Sequence, residues 1–368
     1  MTEGRQGRPR WLSMTRGSGW VGSGVRVGRR VGWVGGGVAL LVAPWLVSDY
    51  ATTLLTRALS FGLLAVTVAL MAGVAGLPTL GQTAPYVAGA YTTALLVRGG
   101  ETIGILQLAA SAVGGALFAA VTAFLVVRAR GVTVLMITLA VGELTVITAG
   151  WWRSVTGGTD GLLALTAPHP FWGLPELADD RAVYLYVLGA AGAVTLIVAA
   201  VLRTPAGLLL RGCSQDEARM RASGHPVTWY LTVAYVAAGA VAGIAGSLLV
   251  TANRYVSPAD ADFTTAALVL LAVVIGGASS LGGALVGAAL VLAVRDWLAA
   301  PFPGHAPLLL GAVFVAAAYL LPNGLAGLAR QITARTWRRP PRHGHRPAPD
   351  PAQRHAPHAG PRRSEDPV

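Results

Sequence analysis

Long stretches of this chain contain no charged side chain, and this feature limits the fold more than any other. Four stretches have 20 or more such residues, enough for a helix to cross about 30 Å of hydrocarbon at about 1.5 Å per residue. Because backbone polar groups must be satisfied inside a bilayer, the stretches predict an all-α, polytopic transmembrane protein. They are Ala58–Leu77, Gly104–Val127, Val183–Leu202 and Trp229–Ala252.

Weaker segments complete the count of spans. Phe263–Val294 is too long for one span, and the glycines within Gly276–Gly283 predict two helices that meet at a tight turn. Thr83–Val97 has a proline near its start, which leaves open whether it spans or re-enters. The sequence predicts ten spans, or eight if two segments are re-entrant. Three further candidates are short or carry one acid: Val31–Val47, Val132–Gly150 and Ala306–Pro322.

Arginine is concentrated in segments that this topology places on one side. Seven arginines precede the first span and nine follow the last, and four more lie in the polar interruption Arg203–Thr228. The loop Trp151–Ala182 instead carries two arginines against four acids. Since arginine-rich loops stay inside, both termini and Arg203–Thr228 are predicted to be cytoplasmic. This distribution explains the net charge of +12 without a nucleic-acid partner.

The pattern divides the chain into three parts. Residues 1–30 form an Arg- and Gly-rich cytoplasmic leader, residues 31–322 a transmembrane domain, and residues 323–368 a Pro-, Arg- and His-rich cytoplasmic tail of disordered composition. Within the transmembrane domain, residues 203–228 are predicted to form one short amphipathic cytoplasmic helix, closed by Gly224 and Pro226.

The residue types argue against an enzyme. All 28 basic residues are arginine, so the chain cannot supply the lysine of a P-loop. Gly17–Gly22 matches G-x-G-x-x-G but follows no predicted strand, which favours a flexible leader. Cys213 is the only cysteine and can form no internal disulfide. We therefore predict no catalytic residue, cofactor or metal site.

Two features at membrane depth indicate a path for a solute. In Gly76–Gln82 (GLPTLGQ), a proline without an amide donor lies between glycines, and broken backbone is tolerated where it is buried or lines a cavity. Glu143 lies well inside a span; it either faces the path or belongs to the polar end of a span set deeper in the membrane. The pairs Gly239/Gly243 and Gly283/Gly287 indicate close helix packing.

Five blocks, in order along residues 58–294, resemble the permease subunit of branched-chain amino acid ABC importers. GLPTLGQTAPYVAGAY at Gly76–Tyr91 is similar to the family's GxLSLGHAAFxGIGAY, and RGVTVLMITLAVGEL at Arg130–Leu144 to RGxYFAMxTLAxAE. TGGTDGL at Thr156–Leu162 and VIGGASSLGGALVGA at Val274–Ala288 match two further blocks, and Arg203–Thr228 resembles a fifth. Their joint occurrence is far more specific than any single block.

The resemblance implies a transport complex. Two related permeases pair, two separate ATP-binding subunits dock on cytoplasmic coupling helices, and an extracytoplasmic binding protein delivers the substrate. The implied sites are ATPase coupling at Asp216, Glu217, Arg221, Ala222 and Gly224; a translocation path at Gly76, Pro78, Thr79, Gly81, Gln82 and Glu143; and a periplasmic-side turn at Thr156, Gly157, Gly158 and Gly161.

The chain departs from the family pattern at several of these places. Gln82 replaces a usual histidine, and Pro85 an aromatic residue. On the coupling segment, Leu208 and Ser214 replace basic residues, and Arg219 stands where a small residue is usual. The differences fall on the surfaces that would decide the ATPase contact and the substrate.

The function predicted from the resemblance is amino acid import across the inner membrane of a bacterium. A urea or short-amide permease of the same superfamily is an alternative that the sequence does not separate. An ion-coupled secondary carrier would need ionisable residues in several spans, and Glu143 is the one found well inside a span. A scaffold without transport would need no break such as Gly76–Gln82. Apart from the complex's subunits, the expected partner is membrane lipid.

Overall fold

The computed structural model describes residues 40–298 apart from 165, 167, 172, 174, 175, 178 and 279, with the isolated positions 37, 311, 312, 315, 324, 325 and 327. The leader, most of the tail and most of the candidate span Ala306–Pro322 lie outside these residues. The count of ten spans and the boundaries of the leader and tail therefore stay predictions. Leu325, within the predicted tail, packs against the core.

The described chain is almost entirely helical. π-helical turns extend α2 over Leu70–Val74 and α12 over Val294–Leu298, and two 3₁₀ turns occupy Gly158–Asp160 and Pro258–Ala261. Strands β1 (Leu162–Leu163) and β2 (Tyr255–Val256) pair antiparallel. The helices are α1 (described over residues 40–46), α2 (Asp49–Ala69), α3 (Thr83–Arg98), α4 (Gly104–Val126), α5 (Val132–Trp151), α6 (Arg153–Thr156), α7 (Asp180–Val201), α8 (Pro205–Gln215), α9 (Glu217–Ala222), α10 (Val227–Asn253), α11 (Phe263–Gly276) and α12 (Leu281–Ala293).

Five described helices are long and apolar enough to cross a membrane, which agrees with the predicted all-α polytopic class. They are Asp49–Val74, Gly104–Val126, Val132–Trp151, Asp180–Val201 and Val227–Asn253. The predicted start of the first of these, Ala58, is wrong by nine residues because Arg57 interrupts the uncharged run. The Arg57 side chain is exposed, so the helix continues past it without burying the charge.

Three shorter helices explain the ambiguous segments. Helix α3 has 16 residues, about 24 Å at 1.5 Å per residue, and follows directly on the broken backbone before it. The long uncharged run forms two helices, as predicted: α11 ends at Gly276, and the Ser280 hydroxyl accepts the Gly283 amide to cap α12.

Glycines let α10 lie directly against α3 and α4. A Cβ added at Gly243 would lie 2.1 Å from the Ser111 carbonyl oxygen of α4, and one added at Gly89 of α3 would lie 2.3 Å from the Gly243 Cα. Gly115 of α4 meets Gly239 and Gly243 in the same way. The predicted packing role of the Gly239/Gly243 pair is therefore confirmed, and backbones rather than side chains form this contact.

Candidate functional site

The polar segment after α7 contains two helices, so the prediction of one amphipathic helix is wrong. Asp216 separates α8 from α9 because its backbone is extended and its carboxylate accepts the Arg219 amide as the N-cap of α9. The predicted end is correct: Gly224 has a φ of 82°, and its amide and that of His225 bond back to the carbonyls of Arg221 and Met220. This is a Schellman motif, which favours glycine at the left-handed position.

Glu217 binds two arginines at the end of the molecule that is predicted to be cytoplasmic. One oxygen, Oε1, accepts from Arg130 in the α4–α5 connection and, at 2.7 Å, from Arg221 one turn further along α9. Arg130 also donates to the carbonyls of Val127 and Ala129, so its guanidinium is held to its own loop. Glu217 therefore ties α9 to the start of α5, a link that the sequence did not predict.

The same segment touches the broken backbone through α8. Gly76 has a φ of 73°, and a Cβ added there would lie 2.8 Å from the Ser214 Cβ. Any larger residue at position 76 would be strained and would also push on α8. Gly76, predicted for the path, and Ser214, one of the altered coupling positions, are thus in direct contact range.

The break itself comprises residues 75–82 and lies against α5. It begins after the π-helical turn, where the Leu77 amide reaches back to the Met71 carbonyl. The Leu80 amide donates to the Thr138 hydroxyl of α5 at 3.1 Å, and a Cβ on Gly81 would lie 2.5 Å from the Thr138 carbonyl oxygen. The break is therefore fixed to α5 by a side chain and a close backbone contact.

Two side chains of the break are buried without a hydrogen-bond partner within the described residues. Thr79 and Gln82 are each 1% exposed, and the Thr79 hydroxyl and both polar atoms of the Gln82 amide are unpaired there. Leaving such groups unpaired costs about 1–3 kcal/mol each, so they mark a place that a polar ligand could satisfy. Pro78, also predicted for the path, is only partly buried.

Glu143 lies in the middle of α5, eight residues or about 12 Å before its C-terminal residue Trp151. Its side chain is half-buried, and among the described residues it forms no hydrogen bond or salt bridge. A Cβ added at the preceding residue, Gly142, would lie 3.8 Å from the Thr83 hydroxyl and 3.9 Å from the Ala261 carbonyl oxygen. Glu143 thus follows a residue that faces the start of α3 and the 3₁₀ turn, and its own role in transport stays a prediction.

An acid at this depth costs about 2.5–3.5 kcal/mol on insertion and has no described partner that offsets the cost, which favours a role in transport. We therefore expect Glu143→Gln to reduce uptake about tenfold per inserted molecule. Glutamine keeps the shape and removes the charge, so insertion should be unchanged or better. Uptake normalised to permease in the membrane measures the effect. Unchanged uptake would favour a purely polar helix position.

The predicted periplasmic-side turn follows α6 and depends on left-handed glycines. Gly157 and Gly161 have φ values of 76° and 72°, and Cβ atoms on them would lie 2.0 Å from the Gly161 carbonyl oxygen and 2.2 Å from that of Val256. The Thr156 hydroxyl accepts the Gly158 amide at 3.3 Å. The turn therefore places β1 beside β2. The chain continues from β2 into the 3₁₀ turn Pro258–Ala261.

That 3₁₀ turn belongs to the site, although the sequence-based prediction did not include it. The Thr83 hydroxyl, at the start of α3, donates to the Ala261 carbonyl at 3.2 Å, a contact between residues 178 positions apart. The turn is closed by a capping box in which the Ser257 amide donates to Asp260 at 2.9 Å. The spacing Ser-x-x-Asp at 257–260 is the signal that could have identified it.

Introduced cysteines can test which side each turn faces. Cys213 is buried and would escape an impermeant reagent on either side, so it is first replaced by alanine. In that background we expect Thr159→Cys to be labelled in intact cells and Ala218→Cys to be labelled only after lysis, since both positions are exposed. Labelling of Ala218→Cys in intact cells would show that the true topology is the inverse of the predicted one.

Comparison with known proteins agrees with this architecture. The family described as branched-chain amino acid transport system / permease component matches residues 50–318. The high-affinity branched-chain amino acid transport system permease protein LivM of Salmonella typhimurium is 29% identical over 298 residues, covering 73% of this chain and 69% of the relative. LivM of Escherichia coli is 28% identical over 299 residues, with the same shares of 73% and 69%.

No solved structure matches the chain. The family match covers more than half of the 368 residues and includes the break, the turn at Thr156–Gly161, the 3₁₀ turn and helices α8 and α9. Together with the five long apolar helices, it makes the protein a multi-pass permease of the inner membrane. The chain belongs to the permease component family of branched-chain amino acid ABC transport systems.

Proposed function

We propose that this chain is a membrane-spanning subunit of an ABC importer that carries branched-chain or similar amino acids into the cytoplasm. Separate subunits hydrolyse ATP, a second related permease completes the membrane part, and an extracytoplasmic binding protein delivers the substrate. Both termini and α8–α9 face the cytoplasm in this proposal. The permease subunit itself performs no chemical reaction.

The observation that supports the proposal best is a set of direct contacts from α8–α9 to the break. Ser214 of α8 lies against Gly76 at one end of the break, and Glu217 of α9 holds Arg130 at the start of α5. Helix α5 in turn holds the break through Thr138. A rigid displacement of the cytoplasmic helices by a docked ATPase would therefore reach the break along two routes.

The test is uptake by the assembled transporter, purified through a tag on this chain and placed in proteoliposomes with ATP on the cytoplasmic side. We expect labelled leucine, isoleucine and valine to accumulate with ATP and not with a non-hydrolysable analogue. Urea in place of leucine would identify the short-amide alternative. Accumulation that needs no ATP and collapses with a protonophore would instead show an ion-coupled carrier and contradict the proposal.

A further inference from the structure

The start of α3 and the 3₁₀ turn Pro258–Ala261 place polar groups of complementary chemistry side by side. Thr83 and Ala261 are joined by the 3.2 Å hydrogen bond, so Gln82 and Asp260, each one residue away, border the same contact. The 3₁₀ turn that carries Asp260 packs directly against α3, and also against α5 and α11.

Two kinds of charge would be stabilised here. The N-terminus of α3 is the positive end of a helix dipole, which favours an anion. In its first turn Pro85 has no amide and the Ala84 amide donates to the Gly81 carbonyl, so the Thr83 amide is the backbone donor available there. At this same end, the Gln82 amide is 1% exposed and has no hydrogen-bond partner among the described residues, so it can donate to that anion. The Asp260 carboxylate, by contrast, favours a cation.

Asp260 has one structural role, as a cap, and no described cation pairs with its carboxylate. Its Oδ2 accepts the Ser257 amide in the capping box, and in the described part of the chain it forms no salt bridge. Burial raises the pKa of this carboxyl above its usual value and the nearby Asp262 adds to that effect, while the hydrogen bonds from Ser257 and the charge of Arg295 act in the opposite direction. A bound cation would relieve the cost of burying this carboxylate.

We infer that Gln82, the N-terminus of α3 and Asp260 together bind the zwitterionic head group of a transported amino acid. The carboxylate of the substrate lies at Gln82 and the α3 N-terminus, and its ammonium lies at Asp260. This inference rests on the proposed function and adds the part of the substrate that the permease recognises. It predicts a preference for the α-amino acid over analogues that lack either charge.

The test compares Asp260→Asn with Asp262→Asn in the assembled transporter. Both acids cap a turn or helix through a backbone amide, at 2.9 Å for Asp260 and 2.8 Å for Asp262, and asparagine keeps that capping capacity. Uptake of leucine is measured against its 2-oxo acid, which lacks the ammonium. The ratio of the two uptake rates is then divided by the ratio of the affinities of the isolated binding protein for the same two compounds.

We expect Asp260→Asn to lower the preference for leucine about tenfold or more, the loss of one charge-assisted contact, and Asp262→Asn to leave it unchanged. Gln82→Met should likewise lower the preference for leucine over leucine amide, which lacks the carboxylate. An unchanged preference in Asp260→Asn, or an equal loss in Asp262→Asn, would overturn the inference.

The inference can still be tested if a variant fails to insert into the membrane. In that case competition in the wild-type transporter decides, after the same correction for the affinities of the isolated binding protein, and a 2-oxo acid that then competes as well as leucine overturns the inference. Wild-type transporter that does not take up leucine contradicts the proposed function itself. Leucine uptake with unchanged preferences contradicts only the head-group site.

Discussion

Gly243→Leu is expected to prevent the chain from accumulating as a folded membrane protein. The new Cβ would lie 2.1 Å from the Ser111 carbonyl oxygen and 3.1 Å from the Gly115 Cα, and both obstacles are backbone atoms that cannot rotate away. Overpacking of this kind costs about 3 kcal/mol at the upper end of its usual range, and here the remaining leucine atoms add further overlap. Recovery of monodisperse protein after size-exclusion chromatography measures the loss.

Gly192→Leu is the matched control. Gly192 also lies in a long apolar helix, α7, but a Cβ added there meets no atom within 4 Å. The substitution adds the same apolar surface without overlap, so yield and melting temperature should stay near those of the wild type. Equal recovery of the two variants would show that the α3–α4–α10 contact is less tight than described.

Glu217→Arg is expected to abolish ATP-driven uptake while the permease inserts normally. In the wild type, Arg130 and Arg221 share one carboxylate oxygen of Glu217. The substitution replaces that carboxylate with a third guanidinium. Because the three side chains are partly exposed, the stability effect should be small, about 1 kcal/mol or less. The loss should instead appear as ATP hydrolysis that substrate no longer stimulates, since α9 is no longer tied to α5.

The reversed pair provides the control. Arg130→Glu combined with Glu217→Arg restores an acid and a base across the same contact, so we expect partial recovery of uptake. Arg221 would then lie one turn from the newly introduced arginine, and this like-charge repulsion keeps the recovery incomplete. If the double variant is as inactive as Glu217→Arg alone, Glu217 acts by meeting a partner subunit, as the family resemblance suggests, and not through Arg130.

Much of this fold could be predicted because its strongest signals are local. Uncharged runs of about 20 residues and the Gly276–Gly283 turn identify helices without knowledge of what packs against them. The predicted start of α2 is wrong because Arg57 counts as a charge in the sequence, although its side chain reaches out of the helix into an exposed position. The separation of α8 from α9 could not be predicted because Asp216 resembles an ordinary helical acid until its cap is seen.

Of the two segments that form the site, the break could be predicted from the sequence and the 3₁₀ turn could not. Gly76–Gln82 is recognisable from its proline and glycines, whereas the role of Asp260 depends on Thr83 meeting Ala261, a contact between residues far apart in the chain. Glu217 was predicted as part of the coupling segment, but its Arg130 partner lies 87 residues away. Local patterns in one sequence carry no information about such distant pairs.

The glycine contacts of α10 have a consequence for how the molecule can move. Helices α3 and α4 each meet α10 backbone to backbone at glycines, so the three helices are closely packed and we expect them to move as one frame. Helix α5 is different, because polar contacts hold it near Arg130 and Thr138. Hydrogen bonds can exchange partners at little cost, whereas a close backbone contact leaves little room for rearrangement. If the chain transports as proposed, we expect α5 and the break to move during the cycle while the glycine frame stays in place.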